Sequence, residues 1–351
     1  MTHWIYLPTT IFSAANASIS EGSSAYIADG VLYAAQNVDS YTLLGTYDNT
    51  QVRVEGTVGG YHCILLGNNS LLSTGEIVTV SDSGKIFSND TAVELRSWGS
   101  TLHNDGSIIA TNIGVILGGA VSGTLSEVIN GGSIDGGSYG IKIGTGAENV
   151  NVTNSGTIKG IISSYETAGD ATDQIINTGV MDGQVILGDG DDFYTGNKGH
   201  IQGAVLGGAD TDKLIGGSEN NEFYGQSGTD TLTGSKGADL LSGGTEADTF
   251  IYRTLSDSTN KASGRDIIIN FLRADGDQID LHIIDADSNA KGNQAFDLIG
   301  KAAFSHEAGE LRFEKTGGHT MLLGDVNGDG KSDISIEFDT ALTFKDADFI
   351  F

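Results

Sequence analysis

From Gly207 to Ile251 the sequence divides without remainder into GGADTDKLI, GGSENNEFY, GQSGTDTLT, GSKGADLLS and GGTEADTFI. A tandem period of nine is a severe restriction. The pattern GGxGxDxUx is that of a parallel β-roll in which two nonapeptides complete one coil, so residues eighteen apart stack on the same flank. An isolated copy, LGDGDDFYT, stands earlier at Leu187 to Thr195. Composition agrees, since 52 glycines beside the single proline Pro8 call for many turns. Collagen would need proline-rich triplets, and a disordered linker would lack the regularly placed Ile, Val and Leu.

Stacking by eighteen puts Asp212, Asp230 and Asp248 in one column. Carboxylates about 5 Å apart at an effective dielectric near 20 repel by roughly 3 kcal/mol per pair, and a bridging dication reverses the sign. Calcium suits the site because it accepts six to eight oxygens in flexible geometry, which glycine-rich turns can supply as carbonyls beside the carboxylates. Magnesium demands a tighter octahedron, and transition metals prefer His or Cys, absent here apart from His200 in the spacer. Tyr194, Leu214, Phe223, Leu232, Leu241 and Phe250 are the expected core. Asn221 replaces Asp in the second tandem repeat, and Asp210, Glu219 and Glu246 replace glycine, so the Asn221/Asp239 flank is expected to bind more weakly.

The first half carries a longer repeat. Gly-x-[Ile/Val/Met] recurs at Gly56, Gly84, Gly106, Gly132, Gly156, Gly179 and Gly199, with spacings of 28, 22, 26, 24, 23 and 20 residues. Two residues earlier stands Asn104, Asn130, Asn154, Asn177 or Asn197, with Asp82 in the corresponding earlier position. A second apolar segment follows in most units, as in Gly114 to Leu117, Gly140 to Ile143 and Val185 to Leu187. Each unit reads as one rung of a parallel β-helix, stacked at about 4.8 Å, with the interior asparagines pairing from rung to rung. Leucine-rich repeats lack support, because neither their leucine spacing nor an amphipathic helix is present. The residues before Gly56 are expected to form an N-terminal cap and one or two imperfect coils. The spacer Gly196 to Leu206 carries the last Gly-x-Ile rung, which implies that the helix runs into the roll.

The formal charge of −28, from 46 acids against 18 bases, disfavours nucleic acid and anionic membranes and favours cations as partners. The lone Cys63 excludes an intramolecular disulfide. Neither a standard N-terminal signal in Met1 to Thr10 nor a membrane span is expected, since the most apolar stretch, Ile108 to Val121, is broken by Thr111, Asn112 and glycines.

After Ile251 come LSDS at 255–258, GRDIIINF at 264–271, DGDQIDL at 275–281, GNQAF at 292–296, GDVNGDGKSDISI at 324–336 and the ending DFIF at 348–351. With the repeats, these motifs resemble the RTX (hemolysin-type) repeats and C-terminal module of serralysin-type proteins over about 165 residues. The resemblance implies a C-terminal export signal read by type I machinery, secretion from a Gram-negative bacterium and an extracellular or cell-surface location. It also implies ligands at the second and fourth nonapeptide positions through carbonyls and at the sixth through the Asp side chain. Carried over, these are Gly208, Asp210 and Asp212; Gly217, Glu219 and Asn221; Gln226, Gly228 and Asp230; Ser235, Gly237 and Asp239; Gly244, Glu246 and Asp248; and, from the isolated copy, Gly188, Gly190 and Asp192. The run Asp325, Asn327, Asp329, Gly330 and Asp333 opens like a calcium loop, but Ile336 stands where an EF-hand places Glu. A calcium-binding hairpin and an Asx-rich turn both fit it.

The expected fold is therefore all-β: a right-handed parallel β-helix with its cap over residues 1–186, running into a calcium β-roll over 187–251, then a β-rich export module over 252–351. None of the seven histidines begins HExxH, which excludes zinc proteolysis on this chain. Gly136 to Gly140 satisfies GxSxG around Ser138, yet no helix follows to form a nucleophile elbow. Parallel β-helices also host polysaccharide lyases and epimerases, for which Arg96, His103, Lys142 and Lys159 are sparse candidates. The expected function is non-enzymatic: a matrix, adhesive or surface-layer protein with open strand edges for self-association or polysaccharide contact. A bacteriocin-like factor is the third reading.

Overall fold

The computed structural model describes residues 3–6, 11–13, 17–20, 23–35, 41–47, 49–67, 75–97, 99–118, 125–144, 149–164 and 171–351, with 3–6 and 11–13 as backbone alone. Pro8 and part of the Met1 to Thr10 and Ile108 to Val121 stretches lie outside them. The protein is an all-β parallel solenoid, and no described residue is in an α-helix. It divides into two compact units, Met1–Asp192 with Gly199–Gly203, and Phe193–Lys198 with Ala204–Phe351.

Coils in the first unit carry two or three short strands each. Thr101–Asn104, Ser107–Ala110 and Ile113–Leu117 make one; Ser126–Asn130 and Ser133–Ile143 make the next. Parallel register puts like on like. Leu102 stacks on Val128, Val152 and Ile175. Ile86 stacks on Ile108, Ile134, Ile158, Met181 and Ile201. Val93 stacks on Val115, Ile141, Ile162 and Val185. All of these are buried, and the three columns are the core.

The turn between the first two columns explains the Asn-x-Gly spacing. The Asn104 side-chain amide donates to Asn130 Oδ1 at 2.7 Å, Asn130 to Asn154 at 2.8 Å and Asn154 to Asn177 at 2.8 Å. Asn130 and Asn154 thus each give and receive one bond along the column, and all four amides, at most 1% exposed, have no solvent to turn to. The ladder stops at Asn177, whose amide donates to the His200 carbonyl at 3.0 Å, so Asn197 is not one of its rungs. The glycine two residues on is equally fixed: a Cβ on Gly132, Gly156 or Gly179 would lie 2.1, 2.0 or 2.1 Å from the carbonyl oxygen of the glycine one rung earlier.

Ahead of Gly56, where a cap and imperfect coils were expected, the described strands already coil. His3–Tyr6 pairs with Ser23–Ile27, which pairs with Gln51–Val54 and through it with Ile77–Val80, all parallel. The repeat was hidden because Val31-Leu32-Tyr33 follows Gly30 where later rungs read Gly-x-Ile; Tyr33 still stacks on Val58.

In the second unit each nonapeptide gives a strand. One column runs Tyr194, Leu214, Leu232, Phe250, Ile279 and Phe349. The other runs Val205, Phe223, Leu241, Ile268 and Phe338. The six residues expected in the core are all within it. The columns pass through residue 251 without a break, because Ile267–Ile269 and Gln278–Asp280 continue the coils although their connections are longer than nine residues. Beyond them Glu310–Thr316, His319–Asp325 and Ile334–Phe338 form an antiparallel meander. Phe344 packs among Phe271, Phe313, Phe338 and Phe349 at centroid distances of 4.9 to 5.9 Å, closing this end of the roll with aromatic bulk.

Replacing Asn154 with Ala would remove two buried ladder bonds, leaving Asn130 Nδ2 with the Thr157 carbonyl and Asn177 Oδ1 with the Gly179 amide. A loss of about 1–3 kcal/mol is expected from the two lost bonds, read by urea unfolding of the full chain.

Candidate metal centre

Each nonapeptide places its aspartate immediately before a strand and two residues before a core side chain, so the carboxylate lies at the corner of the coil. There the aspartates bond from turn to turn. The Asp212 amide donates to Asp230 Oδ1 at 2.8 Å, the Asp230 amide to Asp248 at 2.9 Å and the Asp248 amide to Asp277 at 3.1 Å. On the other flank the Asn221 amide donates to Asp239 Oδ1 at 2.7 Å and the Asp239 amide to Asp266 at 3.0 Å. A shorter ladder lies in the first unit, where the Val150 amide donates to Asp173 and the Asp173 amide to Asp192, both at 2.7 Å.

Asp266, Asp277 and Asp173 are thus members that the nonapeptide period does not reach. The shared signal is an aspartate two residues ahead of a core apolar residue: Asp266 before Ile268, Asp277 before Ile279, Asp173 before Ile175. All the ladder carboxylates are at most 3% exposed.

One oxygen of each carboxylate is spent on this bond. The other, Oδ2 of Asp230, Asp239 and Asp248, is buried and receives no hydrogen bond. It points at the first glycine of its repeat. A Cβ on Gly207, Gly225, Gly234 or Gly243 would stand 2.1, 2.1, 2.2 or 1.9 Å from Oδ2 of Asp212, Asp230, Asp239 or Asp248. These glycines are the room that the carboxylate occupies.

Backbone conformation repeats with the same period. The second and fourth positions have positive φ in Gly208/Asp210, Gln226/Gly228, Ser235/Gly237, Gly244/Glu246 and Gly188/Gly190. Four of these are not glycine, and holding Asp210, Gln226, Ser235 and Glu246 there costs about 1 kcal/mol each. Gly217 and Glu219 depart from the pattern, and the Gly217 amide donates instead to Asn221 Oδ1 at 3.1 Å. Asn221 therefore brings neither charge nor the repeated turn.

Burial raises the carboxyls. Desolvation pushes Asp230 up to about 6 against the pull of the Asp212 amide, and Asp248 up to about 7 with Asp277 and Asp230 adding to it. Burial raises Asp239, with Asp257 adding to it, and burial raises Asp266, with Asp239 adding to it. Asp277 is raised by burial, and Asp173 reaches about 6 for the same reason. A dry anionic oxygen with no hydrogen bond, beside turns of inverted φ, is a site for a hard cation. Among the described residues no three His, Cys, Asp or Glu side chains converge as a metal group. Oxygen donors of this kind, carboxylates beside turns of backbone carbonyls, suit a hard cation such as calcium better than zinc.

The Asp325 loop is built differently. Asp325 Oδ1 accepts from the Asn327 and Gly328 amides at 3.2 and 2.8 Å, and Oδ2 from Gly330 at 2.8 Å. The Asp333 carboxylate takes the Val326 amide at 2.9 Å and the Asn327 side chain at 3.0 Å, and Asp329 takes the Lys331 amide at 2.9 Å. These are linked Asx turns whose acceptors are already engaged. The scattered bases sit in separate local pairs: Arg96 on Glu94, His103 on Asp105, Lys159 on Asp135, and Lys142 over the Tyr139 ring.

The raised carboxyls fix a pH dependence. Their folded-state pKa lies above the unfolded value of about 4, so the stability that they permit is complete below about pH 4 and is lost as pH climbs through 6 to 7. In chelator the chain should melt several degrees lower at pH 8 than at pH 5. Near pH 6.5 calcium should displace protons, which calorimetry in buffers of different ionisation enthalpy detects.

Residues 113–351 match the family described as Peptidase M10 serralysin C terminal. Two solved structures are similar over part of the chain. The AlgE6R3 subunit from the Azotobacter vinelandii mannuronan C5-epimerase shares 24% identity, with 40% of this chain and 74% of that one covered and a TM-score of 0.29. The AlgE6R2 subunit from the same enzyme shares 19% identity, with 47% and 91% covered and a TM-score of 0.29. No curated protein matches the chain. With more than half of its length in that match, and with ladders of buried aspartate at the corners of its coils, the chain belongs to the serralysin C-terminal family.

Proposed function

We propose that this protein is exported through a type I pathway, that its roll folds on binding calcium outside the cell, and that it then serves as a structural, adhesive or surface-layer component. The observation that carries the calcium reading is the unsatisfied Oδ2 of Asp230 and Asp248 on one dry flank and of Asp239 on the other. The ligands in this reading are the carboxylates of the ladder with carbonyls of the second and fourth repeat positions. Calcium supplies the positive charge that the ladder lacks; the chain supplies position and exclusion of water.

Serralysin C-terminal modules are typical of type I-secreted extracellular proteins and typically bind calcium. Among the described residues no helix is long and apolar enough to cross a membrane. The terminal strand Phe349–Ile350 pairs with Gln278–Asp280, and Phe349 is buried. A reader of that segment therefore meets it only before the module folds. Cytosolic calcium leaves weak sites empty and the carboxylates mutually repelling; extracellular calcium fills them. At a dissociation constant near 10⁻⁴ M, millimolar calcium stabilises each site by about 1.4 kcal/mol.

Circular dichroism of the full chain titrated with calcium should show a cooperative gain of β signal near millimolar concentration that magnesium does not reproduce. A flat response to calcium would overturn the reading. Asp230→Asn keeps the acceptor for the Asp212 amide and removes the charge. It should weaken calcium binding about tenfold or more and stabilise the chain in chelator at pH 8. Light scattering during the titration tests the structural role, for which particle size should grow with calcium.

A further inference from the structure

On the outer face of the first unit, Ala34, Gly59, Phe87 and Ile109 occupy one column in register. The order is small, none, large, large. The two small positions leave a step in the wall, and a cleft of about 610 Å³ opens over them, lined also by Tyr61, Asn89 and Thr111. Phe87 and Ile109 are 43% and 40% exposed beside it.

The fold does not ask for a glycine at 59. Its φ is not in the left-handed region, and a Cβ there would meet only ordinary contacts, 3.7 Å to Ala34 Cβ and 4.0 Å to the Phe87 carbonyl. Gly60 next to it is explained, because its Cβ would lie 2.3 Å from the Thr42 hydroxyl, which bonds the Gly59 and His62 carbonyls. A strand glycine that packing leaves unaccounted for marks close approach of something else. The neighbouring wall is held still. The Tyr61 ring meets His62 edge-on at 5.0 Å, His62 stacks on Tyr41 at 4.9 Å, and the Tyr41 hydroxyl donates to Glu94, which Arg96 grips at 2.5 Å.

We propose that this cleft binds a neutral saccharide. An apolar floor at Ala34 and Gly59 with Phe87 and Tyr61 at its sides fits the C–H face of a pyranose ring, and the exposed Asn89 and Thr111 face its hydroxyls. A fatty chain would leave the Asn89 side chain unanswered, the Thr111 hydroxyl being already bonded to the Asn89 carbonyl. A uronate would bring charge into a lining that contains no charged residue, on a protein of net charge −28. The inference deepens the adhesive reading above, on which it rests, by naming what is held. It uses none of the calcium ladder.

The test is calorimetric titration of the calcium-loaded full chain with cellotetraose, maltotetraose and chitotetraose, and with tetragalacturonate for comparison. At least one neutral tetraose should bind, and Gly59→Val should weaken that binding about tenfold or more (1.4 kcal/mol) while leaving the melting temperature unchanged or higher. Asn89→Ala, an exposed change, should weaken it without touching the floor. Absence of binding by every neutral tetraose up to about 10 mM, unchanged affinity in Gly59→Val, or tighter binding of tetragalacturonate would each overturn the inference. Attachment to polysaccharide-coated surfaces separates the two readings. If wild type and Gly59→Val attach equally, the cleft is not the holding site although adhesion stands. If neither attaches while Gly59→Val still loses the tetraose, adhesion falls and the site stands.

Discussion

The second unit depends on one hydrogen bond repeated along its corners, from the amide of one aspartate to the carboxylate of the aspartate a turn later. It sets the register of the coils, because an aspartate one residue out of place would lose the amide and turn its core neighbour outward. The same bond creates the difficulty of the fold. A carboxylate has two oxygens, and the amide answers one. The second is left charged in a dry corner with another carboxylate above and below, and it can be neutralised by a proton or by a cation. Glycine at the first repeat position and inverted φ at the second and fourth are arrangements around that oxygen. Four side chains held at positive φ mean that the turn is imposed by the coil and not chosen by the local sequence.

The two units solve one stacking problem with opposite chemistry. In the first, asparagine carries donor and acceptor in the same group, so Asn104, Asn130, Asn154 and Asn177 bond one to the next along the column. In the second, aspartate carries acceptors only, and the ladder is incomplete until positive charge arrives. The asparagine ladder is neutral at every pH, whereas the charge of the aspartate ladders answers to protons and cations.

Where period and chemistry coincide, the sequence was readable. The nonapeptides gave the core residues and the aspartate columns, and Asn-x-Gly gave the asparagine ladder. What was lost was lost to length. Asp239 to Asp266 and Asp248 to Asp277 span 27 and 29 residues instead of 18, because the intervening loops grew while the corner stayed put. Asn197 shows the reverse failure, a matching residue in a spacer whose backbone takes the asparagine's place through the His200 carbonyl. Tyr33, which stacks on Val58, was missed because its rung lacks the Gly-x-Ile spelling. The saccharide cleft left no trace in any motif, since it comes from an absence of side chain at Gly59 next to bulk brought from another turn.

The ladder also has a direction. From Asp230 onward each ladder carboxylate reaches back to the amide of the turn before it, and Asp277 closes the series by taking the Leu272 amide of its own turn on its second oxygen at 2.7 Å. From Asp212 through Asp248 the interval is a uniform eighteen residues, so an eighteen-residue block cut out or copied in there would join like to like at both seams, with each new corner finding the partner that it expects. Coil number in such a roll can therefore drift by whole turns during gene duplication without repair elsewhere, while the closing turn at Asp266 and Asp277 stays fixed as the template against which every added coil is set.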